Sequence, residues 1–457
     1  EFFRRMERER LTNAELVAFG MTRRKGIAVD DDQNLRVLAE STAPLVAVVG
    51  KSWGLHVSKV LRASYDENLR MIGESIEFLL RQGKRVVYDA EHFFDGYADD
   101  PDYALQTVKA AADAGAETIC LCDTNGGTLP SAVDEAVRAV VAHVTARVGI
   151  HCHNDGDCAV ANSLVAVAAG ARQVQGTMNG YGERCGNANL CSIIPALKLK
   201  MGFPVLGDEQ LARLSETAHF VADIANVAVW PHAPYVGRSA FAHKGGLHVA
   251  AVQQASQTFE HIDPTLVGNQ QRVVISELSG KGAVLRKAQE LGFDLANDDE
   301  RVGAVLKALK DREHRGYHYE AAEASFELLL REELAPRSPL FHLESWRVIT
   351  EKRAGGEAVV EATIKVHVNG DRIISTAEGN GPVNALDTAL RLAIQRKYPD
   401  LDQISLVNYR VRILDENKGT GAATRVLLDA SDGDESWGSI GVSQNIIEAS
   451  WEALVDS

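Results

Sequence analysis

The sequence predicts an α/β protein whose larger part is a parallel (β/α)8 TIM barrel. Three observations point there. Six short apolar runs alternate with helix-like segments between residues 16 and 182, and strands alternating with helices build a parallel sheet. The runs are apolar almost throughout, as strands buried on both faces are. Polar residues suited to chemistry end nearly every run: Lys51, Glu91, Asp123, Thr124, His151, His153 and Asn179. A barrel builds its site from the ends of many strands, whereas an open doubly wound sheet uses one switch point.

Taken in order, the expected strands lie at 16–22, 45–52, 85–92, 118–125, 148–154 and 172–182, with helices between them, among these 130–148 and 158–171. Residue 1 opens inside a charged, helix-like stretch, EFFRRMERERL. A barrel needs eight strand units. Six are present, so the first two are expected upstream of residue 1. The rival sheet lacks its dinucleotide fingerprint, because Cys185 follows Gly180-x-Gly182 where a third Gly is needed. The barrel is expected over 1–202. Residues 203–335 read as a helical connecting region, with loops carrying PHAPYVGRSAFAHKGGLH (231–248) and SELSGKGAV (276–284).

From 336 to 457 the pattern turns to strands and repeats weakly. Runs 341–351 and 358–370 precede 372–394, and runs 405–415 and 424–433 precede 436–455. Each half reads as three strands and a helix, with a Gly-rich turn (379–381 and 438–441) and an Asn (Asn384 and Asn445) placed to cap the helix. The free N–H groups of such turns suit an amino-acid carboxylate, and chain reversal explains the turns equally well. This α+β part holds no catalytic cluster. Its apolar strand faces predict a homodimer.

Lys and Arg total 48 against 63 Asp and Glu, a formal charge of −15. That argues against a general binder of nucleic acid or anionic membrane. Apolar residues make up 45% and charged residues 24%, values of a soluble globular protein. No apolar run approaches the roughly 18 residues of a membrane span, and no secretory h-region opens the chain. All six cysteines lie between 120 and 191. They read as reduced thiols of a cytoplasmic protein. No C-x-x-C knuckle exists, so structural zinc is not expected.

His151-Cys152-His153-Asn154 carries the strongest chemical signal. Residues i and i+2 of a strand share a face, so the two imidazoles point into the barrel mouth while Cys152 points into the helix layer. Two His at a strand end suit a divalent metal. A hydrogen-bonded core pair is the plainer reading, and the barrel position favours the metal. In NGYGERCGNANL (179–190), Asn187 either gives a neutral oxygen to that metal or serves a tight loop. Glu91 is a general base or water-orienting group, or simply a salt-bridged acid. Thr124 either holds a substrate carboxylate or forms a turn in DTNGG. His56, His243 and His248 lie on Gly-flanked segments, as acid–base groups or as surface residues.

Together these blocks resemble the α-isopropylmalate synthase/homocitrate synthase family. YDAEHFFDGY, CDTNGGTLP, GIHCHND, VQGTMNGYGERCGNANL, YVGRSAFAHKGGLHV, HIDPTLVGN, AEGNGPVNALDTAL and GVSQNIIEASW occur in that family's order along the whole chain. The resemblance implies a barrel that condenses acetyl-CoA with a 2-oxo acid on a divalent metal (Mg, Mn or Zn). It also implies a C-terminal domain for dimer contacts and feedback by an end-product amino acid. Carried over by position, His151 and His153 match the metal-binding histidines and Asn187 an additional ligand. Glu91 matches the catalytic strand-end glutamate, Thr124 the carboxylate-binding threonine, and His248 the catalytic histidine of the connecting region. His56 falls in the GKSWGLH block and is taken as substrate-binding.

Two departures stand out. No block matches the family's first-strand Arg-Asp-Gly, which supplies a metal-binding Asp, and Ala250 stands where some members place an acid. Within the family the blocks favour pyruvate as the oxo acid, giving (R)-citramalate, and isoleucine as the feedback amino acid. 2-Isopropylmalate or homocitrate synthesis is the alternative. A non-catalytic amino-acid sensor is the reading should residue 1 be the true start.

Overall fold

Six parallel strands lie side by side in chain order: Val17–Met21 (β1), Leu45–Lys51 (β2), Arg85–Glu91 (β3), Thr118–Asp123 (β4), Arg147–Cys152 (β5) and Gln173–Gln175 (β6). An unbroken sequential order is that of a barrel wall, since a doubly wound sheet reverses direction at its switch point. The computed structural model describes residues 2–6, 8–9, 11–227, 229–243, 248, 251–252, 254–273, 281–290, 292–293, 300–334, 339–352, 354–414, 416–433 and 435–457. These form two units, Glu1–Phe241 with Pro264–Gln270, and Ala242–Asp263 with Gln271–Ser457.

In the first unit the strand alternation sorts residues to two faces. Val46, Val48, Val86, Tyr88, Ile119, Leu121, Ile150 and Cys152 pack in one core with Ile72, Ile76, Val108, Val137 and Val140 from the covering helices. Their alternates Leu45, Ala47, Val87 and Cys120 form a small cluster on the opposite face. Further along that face toward the strand ends stand Lys51, Asp89, Glu91, His151 and Gln175. The helices are well marked in the sequence. Ser64 caps Tyr65–Arg81 by accepting from the Glu67 N–H at 3.2 Å, and Asp100 caps Pro101–Asp113 by accepting from Tyr103 N–H at 3.1 Å.

Two boundaries differ from expectation. The helix expected to 148 stops at His143, because Val144 turns extended and Arg147 already hydrogen-bonds Glu117 as β5 enters the sheet. The run 172–182 is strand only over Gln173–Gln175. Asn179 and Gly180 then adopt positive φ values of 60° and 70° in a tight turn. The first unit ends on helices Asp208–Leu211 and Leu214–Ala225.

The second unit opens with the short pair Ala242–His243 (β7) and Arg272–Val273 (β8). Helices Lys281–Glu290, Glu300–His314 and Glu323–Leu334 follow around Val284, Val305, Leu309 and Phe326. Residues 276–280 of the SELSGKGAV loop lie outside the described residues, as does Ala250. Two antiparallel sheets come next. His342–Lys352 (β9), Ala358–Val368 (β10) and Asp371–Gly379 (β11) lead to helix Pro382–Ile394. Ser405–Ile413 (β12), Thr424–Ser431 (β13) and Ser436–Ser443 (β14) lead to helix Ile446–Asp456. Both halves share one core of Val360, Ile364, Leu386, Val426, Leu428 and Trp451, so the repeat is one packed body.

The repeat is less exact than its sequence suggests. Asn445 caps its helix, accepting from Ile447 N–H at 2.9 Å. Asn384 does not cap. Gly381 holds that position, and Asn384 Oδ1 instead accepts from Asn380 N–H at 3.1 Å. The glycines at 438 and 441 lie within β14, not in a turn. A Cβ on Gly441 would sit 1.9 Å from the Ala449 carbonyl oxygen, and one on Gly438 would sit 2.0 Å from that of Ala321. Close packing of backbone on backbone therefore explains these two glycines. No helix among the described residues is long and apolar enough to cross a membrane.

Candidate active site

The ends of β3, β4, β5 and β6 assemble one site. His151 lies on β5 and His153 just past its end, with ring centroids 5.3 Å apart. Cys152 between them faces the helix layer, as the alternation requires, and burial pushes its thiol pKa up. Gln175 stands opposite His151 in the β5–β6 register. Its Oε1 lies 2.9 Å from His151 Nδ1, and its Nε2 donates to Asp89 Oδ1 at 2.8 Å. With Gln175 Oε1 as the acceptor, His151 Nδ1 is the donor of this bond. Burial raises the Asp89 carboxyl pKa, while the Gln175 hydrogen bond and His151 oppose the shift.

His153 and Asn187 face each other across an isolated antiparallel bridge. His153 Nδ1 and Asn187 Oδ1 are buried and have no hydrogen-bond partner. Burial lowers the His153 pKa, and nearby His151 and Arg184 add to this, so the ring favours its neutral form. Gly182 makes room for the amide, since a Cβ there would lie 2.2 Å from Asn187 Nδ2. Buried polar atoms are rarely left unpaired. Two imidazoles and an amide oxygen brought together in this way fit a divalent ion. Among the described residues no three His, Cys, Asp or Glu side chains form a metal-holding group, so this candidate set depends on the amide.

Lys51 and Glu91 form an ion pair across the ends of β2 and β3. Thr124 Oγ1 accepts the His92 N–H at 2.8 Å, which leaves its own proton free to donate. Arg184 braces the mouth. Its Nη2 donates to the Thr124 carbonyl at 2.7 Å, and its guanidinium spans both oxygens of Asp155 at 2.8 and 2.9 Å. His92 has the left-handed φ of 57° and lies 3.1 Å from Asp95 through Nδ1. His56 stacks on Trp53, and its ring centroid is 4.1 Å from that of His92. Burial lowers the His56 pKa, helped by His92 and Lys51, and its Nδ1 is unpartnered. A cavity of about 730 Å³ opens beside Asn187, lined in part by Asn154, Tyr181, Asn189, Trp230 and Tyr235.

Glu91, Thr124, His56, His151, His153 and Asn187 all belong to the first unit, with His56 opening the helical segment His56–Leu61 beyond β2 and Asn187 in the loop after β6. His248 belongs to the second unit, where it is exposed and its ring stacks on Phe259 with centroids 4.1 Å apart. His243 is buried in that unit against Glu260, 3.0 Å away. Two strand-end polar residues serve structure instead. Asp123 faces the helix layer and accepts from the Thr128 hydroxyl at 2.8 Å, and Asn179 Nδ2 donates to the Ala218 carbonyl at 2.8 Å. Sequence reasoning missed Asp89, Gln175, His92 and Arg184. Asp89 shared the alternation of Glu91, a usable signal, but the partner of Gln175 depends on strand register.

Three family models match in succession: HMGL-like over 11–221, homocitrate synthase post-HMGL domain-like over 235–316, and LeuA allosteric (dimerisation) domain over 320–457. The chain is 50% identical to an (R)-citramalate synthase of Geobacter sulfurreducens over 457 residues, all of this chain and 87% of that protein. The chain belongs to the citramalate synthase branch of the isopropylmalate/homocitrate synthase family. An (R)-citramalate synthase of Streptomyces coelicolor is 49% identical, again across all of this chain and 86% of that protein. A 2-isopropylmalate synthase of Pyrococcus furiosus is more distant, at 33% over 88% of this chain and 78% of that one. Family members are generally divalent-metal dependent.

Proposed function

We propose that the protein is an (R)-citramalate synthase, an acyltransferase that condenses acetyl-CoA with pyruvate and releases (R)-citramalate and CoA. Identity of 44–50% to five (R)-citramalate synthases, each across all of this chain, carries the reading. The reaction is a Claisen-type condensation. A base takes a proton from the acetyl methyl group, and the enolate carbon bonds to the pyruvate carbonyl carbon. The resulting alkoxide gains a proton, and water then cleaves the thioester. His151, His153 and Asn187 would hold a divalent ion (Mg, Mn or Zn), which when bound would supply Lewis-acid polarisation of the 2-oxo group.

Glu91 and His248 are assigned to the proton transfers. The position of Glu91 at a strand end supports its role, and the family block around His248 supports the second. The free Thr124 proton is aimed at the pyruvate carboxylate, with His56 beside it as a further binding group. The charge of −15 repels an anionic substrate at long range, so local cations and a bound metal ion would have to supply the attraction. The match to an allosteric dimerisation domain supports a homodimer through 336–457 and feedback regulation, with isoleucine taken as the effector because citramalate feeds isoleucine formation. All six cysteines are free thiols, which supports a cytoplasmic location.

The test is CoA release by the purified protein with pyruvate, 2-oxoisovalerate or 2-oxoglutarate, each with and without isoleucine or leucine. One or two methyl groups in an apolar pocket change discrimination by only about 1–3 kcal/mol, so the oxo acids need direct comparison. Pyruvate is expected to turn over fastest, with isoleucine inhibiting. Faster turnover of 2-oxoisovalerate, or inhibition by leucine alone, moves the assignment to 2-isopropylmalate synthesis. Sedimentation at micromolar concentration tests the dimer, and a stable monomer counts against it.

A further inference from the structure

Asp89, His151 and Gln175 come from three different strands, yet two hydrogen bonds join them in a row. β3 and β6 are separated in the sheet by β4 and β5, so the Asp89–Gln175 bond reaches across the concave face beneath His151. Asp89 is 6% exposed. Placing a carboxyl there is unfavourable without a role, and an apolar residue would fill the same space. Asp89 Oδ1 accepts from Gln175 Nε2, so the NH2 end of the amide is turned toward the carboxyl. The amide oxygen is then left facing His151.

We infer that Asp89 and Gln175 are positioning residues that lock His151 in one tautomer. Asp89 orients the amide, the amide oxygen accepts Nδ1–H, and Nε2 is held open toward the site. The inference rests on reading His151 as a metal ligand, and metal-binding imidazoles owe their orientation to such partners. Free imidazole in water favours the proton on the other nitrogen, so the lock has a spectroscopic signature. It also has a rescue: Asp89→Asn keeps an oxygen that accepts from Gln175, whereas Asp89→Leu does not.

The experiment uses the whole chain. Nitrogen NMR of labelled histidine reads the His151 tautomer without metal, and calorimetry reads Mn²⁺ affinity. Wild type and Asp89→Asn are expected to hold His151 protonated at Nδ1. Gln175→Leu, Gln175→Met and Asp89→Leu are expected to lose that preference and to bind Mn²⁺ about 10–100-fold more weakly. Circular dichroism selects the variants that remain folded, and Gln175→Met keeps the volume if Gln175→Leu does not fold. An unchanged tautomer, or unchanged Mn²⁺ affinity, in a folded Gln175 variant overturns the inference. His153→Ala separates the two readings. If it binds Mn²⁺ as well as wild type does, the metal assignment fails, while the tautomer measurement still decides the role of Gln175.

Discussion

Lys51 and Glu91 are register partners at the last pairing of β2 with β3, and their side chains close that pairing with an ion pair. Both are partly shielded, with side chains 12% and 24% exposed. The counter-charge of Lys51 fixes the Glu91 carboxylate at the barrel mouth, where part of it remains open to solvent.

Glu91→Gln keeps the shape and removes the proton-accepting charge. Turnover of CoA release should fall about 10²–10⁴-fold, the usual contribution of a general acid or base. A turnover within threefold of wild type would remove Glu91 from the proton-transfer steps.

Chelation is expected to abolish turnover, and added Mg²⁺ or Mn²⁺ to restore it. The His151→Ala/His153→Ala variant should lose the bound ion altogether, because Asn187 alone offers one neutral oxygen. Metal analysis of that variant is the check, and undiminished occupancy sinks the assignment.

Asp456 gives a pH dependence of stability. Its carboxyl accepts from Ser325 in a buried setting, and burial pushes its pKa up from 3.8 to about 6. Glu452 raises it further while Arg312 opposes. The folded state therefore binds the proton more tightly than the unfolded chain does. Stability from this group is highest below pH 4, declines between about pH 4 and 6, and is flat above. The full loss is up to about 3 kcal/mol. Asp456→Asn should remove that decline and unfold later than wild type in urea at pH 7.5. Equal midpoints for the two proteins at pH 7.5 would refute the shift.

The two halves of the C-terminal repeat should respond unequally to one substitution. Asn445→Ala removes a helix cap and should cost about 1 kcal/mol. Asn384→Ala removes only a local turn contact and should cost less than half as much. Urea unfolding of the two variants provides the comparison, and equal losses would refute the asymmetry.

The parallel strands, their order of appearance and the faces of His151, Cys152 and His153 were legible because each depends on local alternation. The Asn384 and Asn445 pair shows the limit. The same residue stands before two similar helices, but only one helix begins where its Asn can reach a free N–H. The glycines at 438 and 441 read as a turn because glycine marks turns more often than it marks close packing. Only the carbonyls of Ala321 and Ala449, brought against β14 by packing, reveal why a side chain is excluded there.

The sequence by itself determined the alternating strand–helix plan, the candidate site residues and the family, since motifs and periodicity are properties of consecutive residues. The tertiary structure alone decided which of those side chains have partners. It gave Asp123 to Thr128 and Asn179 to Ala218, and it left His153 and Asn187 with open atoms. It also joined Asp89 to Gln175 across 86 residues of chain. Hydrogen bonds and burial depend on distances between strands, and the register and curvature of a sheet bring together atoms that no local pattern relates.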